Sequence, residues 1–262
     1  MLKNPAPTRG LALLCALLCT LAPLQAQALD AQQMLAASDA VRNPAKPFVT
    51  TVSLNEYKGG KASDSSTLQA YSRAEPGGQF RTLLRFAAPA RDANKLMLKT
   101  GNDLWFYDPA SKASVRISPQ QRLLGQAANG DVVTVNFAQT YQASLAQEEE
   151  LQDGERQNRR AYKLQLEAKA PDVTYHAIEM WLDRENYRPI KARFLSESGR
   201  LLKTAFYRRF KEELGAVRPT EVVIIDGLDP ALVTVMRYGE FQARDIPDSW
   251  FQRDYMARFQ AE

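Results

Sequence analysis

Apolar and polar residues alternate along most of the chain beyond Phe48, and this two-residue period constrains the fold more than any other feature. In residues 80–86, for example, aromatic and aliphatic side chains with one threonine share a face, while Arg81 and Arg85 lie on the other. About ten to twelve such segments are separated by turns rich in Gly, Pro, Asn and Asp. No long helical segment connects them, so the sequence predicts an antiparallel meander and not a parallel α/β sheet.

Helices are predicted at only a few places. Residues 30–41 have helical spacing of their apolar positions, and Asp30 can cap the start. A proline at position 119 opens a short helix over residues 120–124, and a glycine closes it. Residues 126–154, which include three consecutive glutamates, are expected to form one or two short helices and a loop. The segment after Pro247 is expected to be helical or irregular.

The predicted strands are long and carry many large apolar residues. A single antiparallel sheet with one solvated face can bury them by curling around a few helices. We therefore expect a mainly-β (α+β) domain, in which a single curved antiparallel sheet forms an incomplete β-barrel and short helices cover its concave face. An apolar concave face that is loosely covered can admit an acyl chain, since each buried methylene contributes about 0.8 kcal/mol.

The first 28 residues have the three parts of a cleavable signal peptide. Lys3 and Arg9 form a basic start, residues 11–22 are apolar except for Thr20, and residues 26–28 read Ala-Gln-Ala. The apolar stretch is shorter than the roughly 20 residues that span a bilayer, which argues against a membrane anchor. We expect residues 29–262 to be a single domain that is exported to the periplasm.

Removal of this segment changes the composition in two ways. Both cysteines lie within it, so the mature chain has no disulfide and no thiol. It also contains two basic and no acidic residues, which leaves 32 basic against 30 acidic residues in the mature chain. This near balance argues against nucleic acid as a partner, because nucleic-acid binding needs a clustered basic excess.

The residues available for catalysis are few. The chain has one histidine, His176, in a predicted strand on the same face as Ile178. Without a mature cysteine, thiolate catalysis and Cys/His zinc sites are excluded, and no nucleophile elbow or glycine-rich phosphate loop is present. The sequence therefore predicts a protein that is not an enzyme, with no catalytic residue, no metal and no cofactor.

Three passages resemble the outer membrane lipoprotein-sorting protein family, specifically its LolA-like branch. The first passage reads Arg-Phe-Ala-Ala-Pro-Ala, followed by Lys-Leu-Met-Leu-Lys. The second has an Asp-Leu-Trp-Phe-Tyr-Asp-Pro strand and then an Arg-Ile-Ser-Pro corner with a following glycine. The third has a Met-Trp-Leu-Asp strand with a nearby Arg-Pro-Ile-Lys. The resemblance runs from about Phe48 to the C-terminus. The passages are residues 85–90 with 95–99, residues 103–109 with 115–125, and residues 180–183 with 188–191.

The resemblance implies a cavity that carries the acyl chains of a lipid or lipoprotein between the inner and outer membranes. The implied partners are an inner-membrane transporter, with RND-type exporters as candidates, and an outer-membrane acceptor, with transient membrane contact. The alternative is a periplasmic sensor of envelope lipoprotein state, similar to the regulator RseB. An adjacent exporter gene favours the carrier, and an adjacent anti-sigma factor gene favours the sensor.

Two sets of residues are candidates for binding. Arg116 and Arg122 flank the predicted strand-to-helix corner, where they either contact acidic partner groups or form internal salt bridges. The other set would line the apolar cavity from the predicted strands. Its members are Leu84, Phe86, Leu96, Leu98, Trp105, Phe106, Ile178, Met180, Phe194 and Phe206.

We predict that the mature protein begins at Leu29, because a small–x–small site ends at Ala28 and because Cys15 and Cys19 each follow a leucine. Lipoprotein processing requires a small residue before the cysteine. Intact-mass measurement on protein from its native host checks the N-terminus. An uncleaved chain or an acylated Cys19 would contradict the prediction.

Overall fold

A computed structural model of the protein describes residues 1–2 and 29–260. Apart from its first two residues, the predicted signal peptide lies outside the described part of the chain. No helix within the described part is long and apolar enough to cross a membrane.

Strands make up most of the described chain. In chain order they are β1 (Phe48–Lys58), β2 (Lys61–Ala74), β3 (Phe80–Ala88), β4 (Leu96–Thr100), β5 (Asp103–Asp108), β6 (Ala113–Arg116), β7 (Arg122–Leu124), β8 (Ala127–Ala128), β9 (Tyr141–Gln152), β10 (Asn158–Ala168), β11 (Ala177–Asp183), β12 (Pro189–Leu195), β13 (Leu201–Glu213), β14 (Ala216–Asp226), β15 (Leu232–Tyr238) and β16 (Gln242–Ala243).

The helices are short. The α-helices are α1 (Ala31–Arg42) and α2 (Phe137–Thr140), and the 3₁₀ helices are Ala90–Asp92, Asn129–Asp131, Asp248–Phe251 and Arg253–Arg258.

Fourteen strands form one antiparallel sheet in the order β6-β5-β4-β3-β2-β1-β15-β14-β13-β12-β11-β10-β9, with β16 beside β1. Along this order each strand pairs with its neighbour in the chain, except where β1 pairs with β15. Two meanders, β1–β6 and β9–β15, are thus joined into one sheet. Strands β6 and β9 remain as edges, so the barrel is incomplete, and the predicted fold class is confirmed.

The sheet curls until its two ends approach each other. In the β4–β5 turn, Asn102 donates a hydrogen bond from Nδ2 to Oδ1 of Asp172 in the β10–β11 connection, at 3.2 Å. Gln120, which follows β6, donates from Nε2 to the carbonyl oxygen of Val173 at 3.1 Å. We call this contact between the two ends, made by Asn102, Gln120, Asp172 and Val173, the seam.

Helix α1 fills part of the interior. Asp30 and Gln33 form a reciprocal capping box: the Asp30 side chain accepts from the Gln33 amide at 2.8 Å, and the Gln33 side chain accepts from the Asp30 amide at 3.0 Å. Met34 and Leu35 are buried in the main core, against the inner face of the sheet. The predicted helix over residues 30–41 is therefore confirmed to within one residue at each end.

The same helix covers the beginning of the edge strand β9. The side chain of Gln32 donates to the carbonyl oxygen of Tyr141 at 3.1 Å and accepts from the amide of Ala143 at 2.8 Å. A side chain thus takes the place of a neighbouring strand, which protects the edge from pairing with another chain.

A second core lies on the outer face of β1–β5. Residues 246–259, which we call the C-terminal cap, bury Trp250, Phe251 and Met256 against outward-facing residues of these strands, such as Tyr71. The Trp250 and Tyr71 rings meet edge to face, with centroids 5.2 Å apart. Short helices therefore cover both faces of the sheet, α1 the concave face and the C-terminal cap the opposite one.

Two local predictions are wrong. Residues 120–124 form a turn and strand β7, which pairs with β8, and Gly125 serves as the turn residue of this hairpin with φ of +55°. An added Cβ at Gly125 would lie 2.2 Å from Thr234 Oγ1, so tertiary packing specifies the glycine. Within residues 126–154, the acidic run at 148–150 belongs to β9 and not to a helix or loop, because pairing with β10 outweighs its low strand propensity.

We predict that Trp250→Ala lowers the free energy of unfolding by about 3–5 kcal/mol, because the ring is buried between two aromatic partners. Gln252→Ala, in the same cap but exposed, is the matched control and should stay within about 0.5 kcal/mol of wild type. Urea denaturation measures both. Equal, small losses would show that the cap contributes nothing to the stability of the sheet.

Candidate functional site

A cavity of about 160 Å³ lies inside the curled sheet. Its roof is formed by residues 117–140, which connect the two meanders and which we call the crossover segment, together with the end of α1. Strands from both meanders supply the walls, so the cavity exists only in the assembled barrel. The apolar lining consists mainly of Phe48, Val52, Ala70, Leu104, Val132, Val133, Phe194, Ala205, Val222, Ile224 and Met236.

The size of the cavity limits what it holds in this conformation. An apolar cavity of about 150 Å³ admits benzene, and pockets for drug-sized ligands span about 300–1,000 Å³. The interior therefore has room for a short apolar group, whereas a long acyl chain must displace part of the wall.

The crossover segment is not a strand of the main sheet, so no continuous ladder of backbone hydrogen bonds joins it to the strands. Side chains supply several of its contacts with the sheet. The amide of Thr134 donates to Oγ1 of Thr82 at 3.2 Å, and the amide of Asn136 donates to the side chain of Gln79 at 2.9 Å. Displacement of this segment would widen the cavity and leave the paired strands intact.

A buried ion pair fixes the crossover segment to β13. Lys203, which is 5% exposed, pairs with Asp131 and donates to the carbonyl oxygen of Gln126 at 3.0 Å. The Lys203 ammonium lies 4.8 Å from the ring centroid of Tyr175. Because two points of the crossover segment meet one inward-facing lysine, the position of the roof depends on this contact.

The carboxylate of Asp131 is the centre of a larger network. It accepts from the amide of Ala128 at 2.7 Å and from the hydroxyl of Tyr175 at 2.7 Å. The hydroxyl of Tyr141 in turn donates to the carbonyl oxygen of Tyr175 at 3.1 Å. Burial raises the pKa of Tyr175 well above its ordinary value, with the Asp131 charge acting in the same direction, so this hydroxyl stays neutral and remains a donor.

A second ion pair closes the other end of the cavity. Arg42, in the last turn of α1, pairs with Asp39 and lies 3.9 Å from the ring centroid of Phe137 in α2. Asp39 also accepts from the amide of Ala138 at 2.7 Å. These contacts hold α1 and α2 together as one unit above the sheet.

The cavity reaches the surface at the seam. Lys99, Gly101, Asn102, Asp172 and Val173 line it there. The last three also line a surface groove that continues past Arg116 and Gln120. The interior and the outer surface are thus connected at the point where the two ends of the sheet meet.

The structure separates the ten residues predicted to line the cavity. Phe194 lines it directly. Five others pack in the main core on the inner face of the sheet without lining the cavity, namely Leu84, Phe86, Phe106, Ile178 and Met180.

The remaining four lie on the outer face and do not line the cavity, which corrects the predicted set. Leu96 and Leu98 are buried under the C-terminal cap, and Trp105 packs against them, because strand alternation places Met97 and Phe106 on the inner side instead. Phe206 points outward between the inward-facing Ala205 and Tyr207, and the ammonium of Lys191 lies 5.7 Å from its ring centroid. Whether any of the ten binds lipid stays a prediction.

The other predicted positions lie at the surface. His176 is exposed just before β11. Arg116 forms an ion pair with Asp103 at 2.7 Å between exposed side chains, whereas Arg122 makes no ion pair within the described residues. In the part of the chain that the structure describes, no group of His, Cys, Asp or Glu residues could hold a metal ion.

Sequence reasoning missed the buried network. Lys203, Asp131 and Tyr175 are distant in sequence, and only the closed sheet brings them together. One signal was available: Lys203 shares its strand face with Ala205 and Tyr207, so alternation alone directs a lysine into the core.

We predict that Lys203→Met destabilises the fold by about 3–5 kcal/mol, because Asp131 would remain buried without its cation. The double variant Lys203→Met/Asp131→Asn should lose less than the single variant, since no charge is left unpaired. Chemical denaturation measures both.

The matched control is Arg91→Met, which breaks the exposed Arg91–Asp64 pair (3.4 Å) and should cost less than about 1 kcal/mol. If Lys203→Met lost as little stability as Arg91→Met, the Lys203–Asp131 pair would not be the contact that holds the crossover segment.

Comparisons with known proteins agree with this architecture. A family model described as "uncharacterized protein" matches residues 78–258. The crystal structure of a LolA superfamily protein from Nitrosomonas europaea is 34% identical, with a TM-score of 0.78, over 87% of this chain and 100% of that chain. No curated protein matches the chain.

Two further crystal structures share the fold at lower identity. A proposed outer membrane lipoprotein-sorting protein domain from Vibrio parahaemolyticus is 18% identical, with a TM-score of 0.74, over 87% of this chain and 98% of that chain. A DUF1329 family protein from Desulfovibrio piger is 20% identical, with a TM-score of 0.73, over 86% of this chain and 97% of that chain. Because the 34% identical match spans a complete relative and the family model covers most of the sequence, the chain belongs to the LolA superfamily.

Proposed function

We propose that this protein is a periplasmic carrier that binds acyl chains of a lipid or lipoprotein inside the sheet and moves them between the inner and outer membranes. The observation that carries the proposal is the cavity inside the curled sheet, which is lined in large part by apolar side chains of both meanders. Burial of a chain in such an interior is favourable by about 0.8 kcal/mol for each methylene.

The small volume of the cavity is consistent with a carrier that also releases its cargo. The crossover segment forms the roof of a cavity that is too small for a long chain in this conformation. Loading must displace this segment, and its return on release regains the contacts around Asp131. The buried contacts of Asp131 with Lys203 and Tyr175 therefore oppose loading and favour unloading, as reversible transport requires.

Binding and not catalysis fits the chemistry of the interior. Two cations of the interior are paired with carboxylates, Lys203 with Asp131 and Arg42 with Asp39. The tyrosine hydroxyl of Tyr175 is held neutral by burial. We propose accordingly that the protein acts without enzymatic activity and without a cofactor.

The route of transport is proposed from two supports. The predicted signal peptide directs the chain to the periplasm, and a relative of the same fold is a proposed outer membrane lipoprotein-sorting protein domain. The resemblance to the LolA-like branch adds an RND-type inner-membrane exporter as the proposed donor and an outer-membrane component as the proposed acceptor.

We predict that Ala205→Phe abolishes acyl-chain binding while the protein stays folded. Ala205 lines the cavity, and the added ring is about the size of benzene, which a cavity of about 150 Å³ can hold. The measurement is mass spectrometry of lipid extracted from protein purified from the host envelope. Wild type should carry acyl lipid, and the variant should carry none.

The matched control is Ala192→Phe. Ala192 is the cross-strand partner of Ala205 and faces the same core, but it is fully buried and does not line the cavity. Overpacking there should cost about 1–3 kcal/mol or more. Ala205→Phe should lose less stability than this control. Lipid that co-purifies equally with wild type and Ala205→Phe would refute the cavity as the binding site.

A further inference from the structure

The cations that line the cavity differ in their partners. Arg42 and Lys203 each form an ion pair with a buried aspartate. Lys99 also lines the cavity, yet it forms no ion pair with any residue that the structure describes. The Lys99 ammonium donates one hydrogen bond, to the carbonyl oxygen of Gly101 at 2.9 Å.

The backbone aims Lys99 inward. In β4 it shares a face with Met97, which is fully buried in the main core, and it pairs across the strands with Thr82 and Leu104. Its neighbour Leu98 packs under the C-terminal cap on the other side. Lys99 therefore stands at the inner rim of the seam, with its ammonium between the apolar interior and solvent.

This position leaves the charge poorly compensated. Burial lowers the pKa of Lys99, and the Glu75 carboxylate offsets only part of that effect. The carboxylate of Asp172, which lines the mouth, accepts from Asn102 and makes no ion pair with Lys99. An anion that entered the mouth would give the half-buried ammonium a charge-assisted partner.

We infer that the seam is a headgroup site at which Lys99 binds the anionic group of a single-chain amphiphile whose tail lies in the cavity. The ligand class is a carboxylate or phosphate attached to an acyl or alkyl chain. This inference rests on the proposed function and adds to it the chemistry of the headgroup and the place of entry. The ammonium donates to the anion, while Leu104, directly across from Lys99, begins the apolar path inward.

The test compares three probes with the same chain: dodecanoate, dodecyl phosphate and dodecanol. Isothermal titration calorimetry of the mature protein measures each dissociation constant at moderate salt. Wild type should bind at least one anion more tightly than the alcohol, and the stronger of the two identifies carboxylate or phosphate as the natural group. In Lys99→Gln, binding of that anion should weaken about tenfold while binding of dodecanol is unchanged.

Two further variants separate a headgroup contact from a structural role. Lys99→Arg retains the charge and should restore the preference for the anion. Lys61→Gln removes an exposed lysine that does not line the cavity and should behave as wild type. Thermal unfolding of each variant confirms that it is folded before titration.

The outcomes distinguish the two proposals. Equal affinity for all three probes, unchanged in Lys99→Gln, overturns the headgroup site and leaves the carrier function standing. Failure of wild type to bind any probe overturns both. Weaker binding of the alcohol as well as the anions in Lys99→Gln would mean that Lys99 shapes the cavity and does not recognise the charge, which also overturns the inference.

Discussion

The pairing of β1 with β15 is the constraint on which the rest of the structure depends. Seven residue pairs, from Val52↔Tyr238 to Lys58↔Leu232, join strands from opposite ends of the described chain. Strands of both meanders contribute residues to the main core, and the combined sheet curls until its ends meet at the seam. Because this contact is non-local, its loop-closure entropy is offset only when both meanders have formed.

What fills the curled sheet follows from the same constraint. The two meanders are connected by the crossover segment, which has no place in the sheet order and therefore lies across the open interior. On the sheet side, Lys203 forms an ion pair with Asp131 of this segment. Helix α1 packs beside the segment, where Arg42 lies over the ring of Phe137. Small side chains on the sheet, such as Ala205, leave the space between sheet and roof that we propose as the acyl-chain site.

Much of the local structure could be predicted from the sequence because local interactions specify it. The capping box at Asp30 and the alternation that places Trp105 and Phe106 on opposite faces are properties of neighbouring residues. Prediction failed at residues 120–124, where a proline and a glycine suggested a helix. There the glycine is required by a contact with Thr234, more than 100 residues away, and no local rule contains that information.

The sequence by itself determined that the chain forms an antiparallel meander whose apolar faces enclose a core, because the two-residue period is a local property of the chain. It also determined which family the chain resembles, because the motifs are short continuous segments. Only the tertiary structure decided which face is interior. Leu96, Leu98 and Trp105 are as apolar as the residues that line the cavity, but the C-terminal cap buries them on the outer side. The alternation of residues along a strand assigns each side chain to one of the two faces of the sheet. Which of those faces becomes the interior depends on contacts between distant segments, because these set the direction in which the sheet curls.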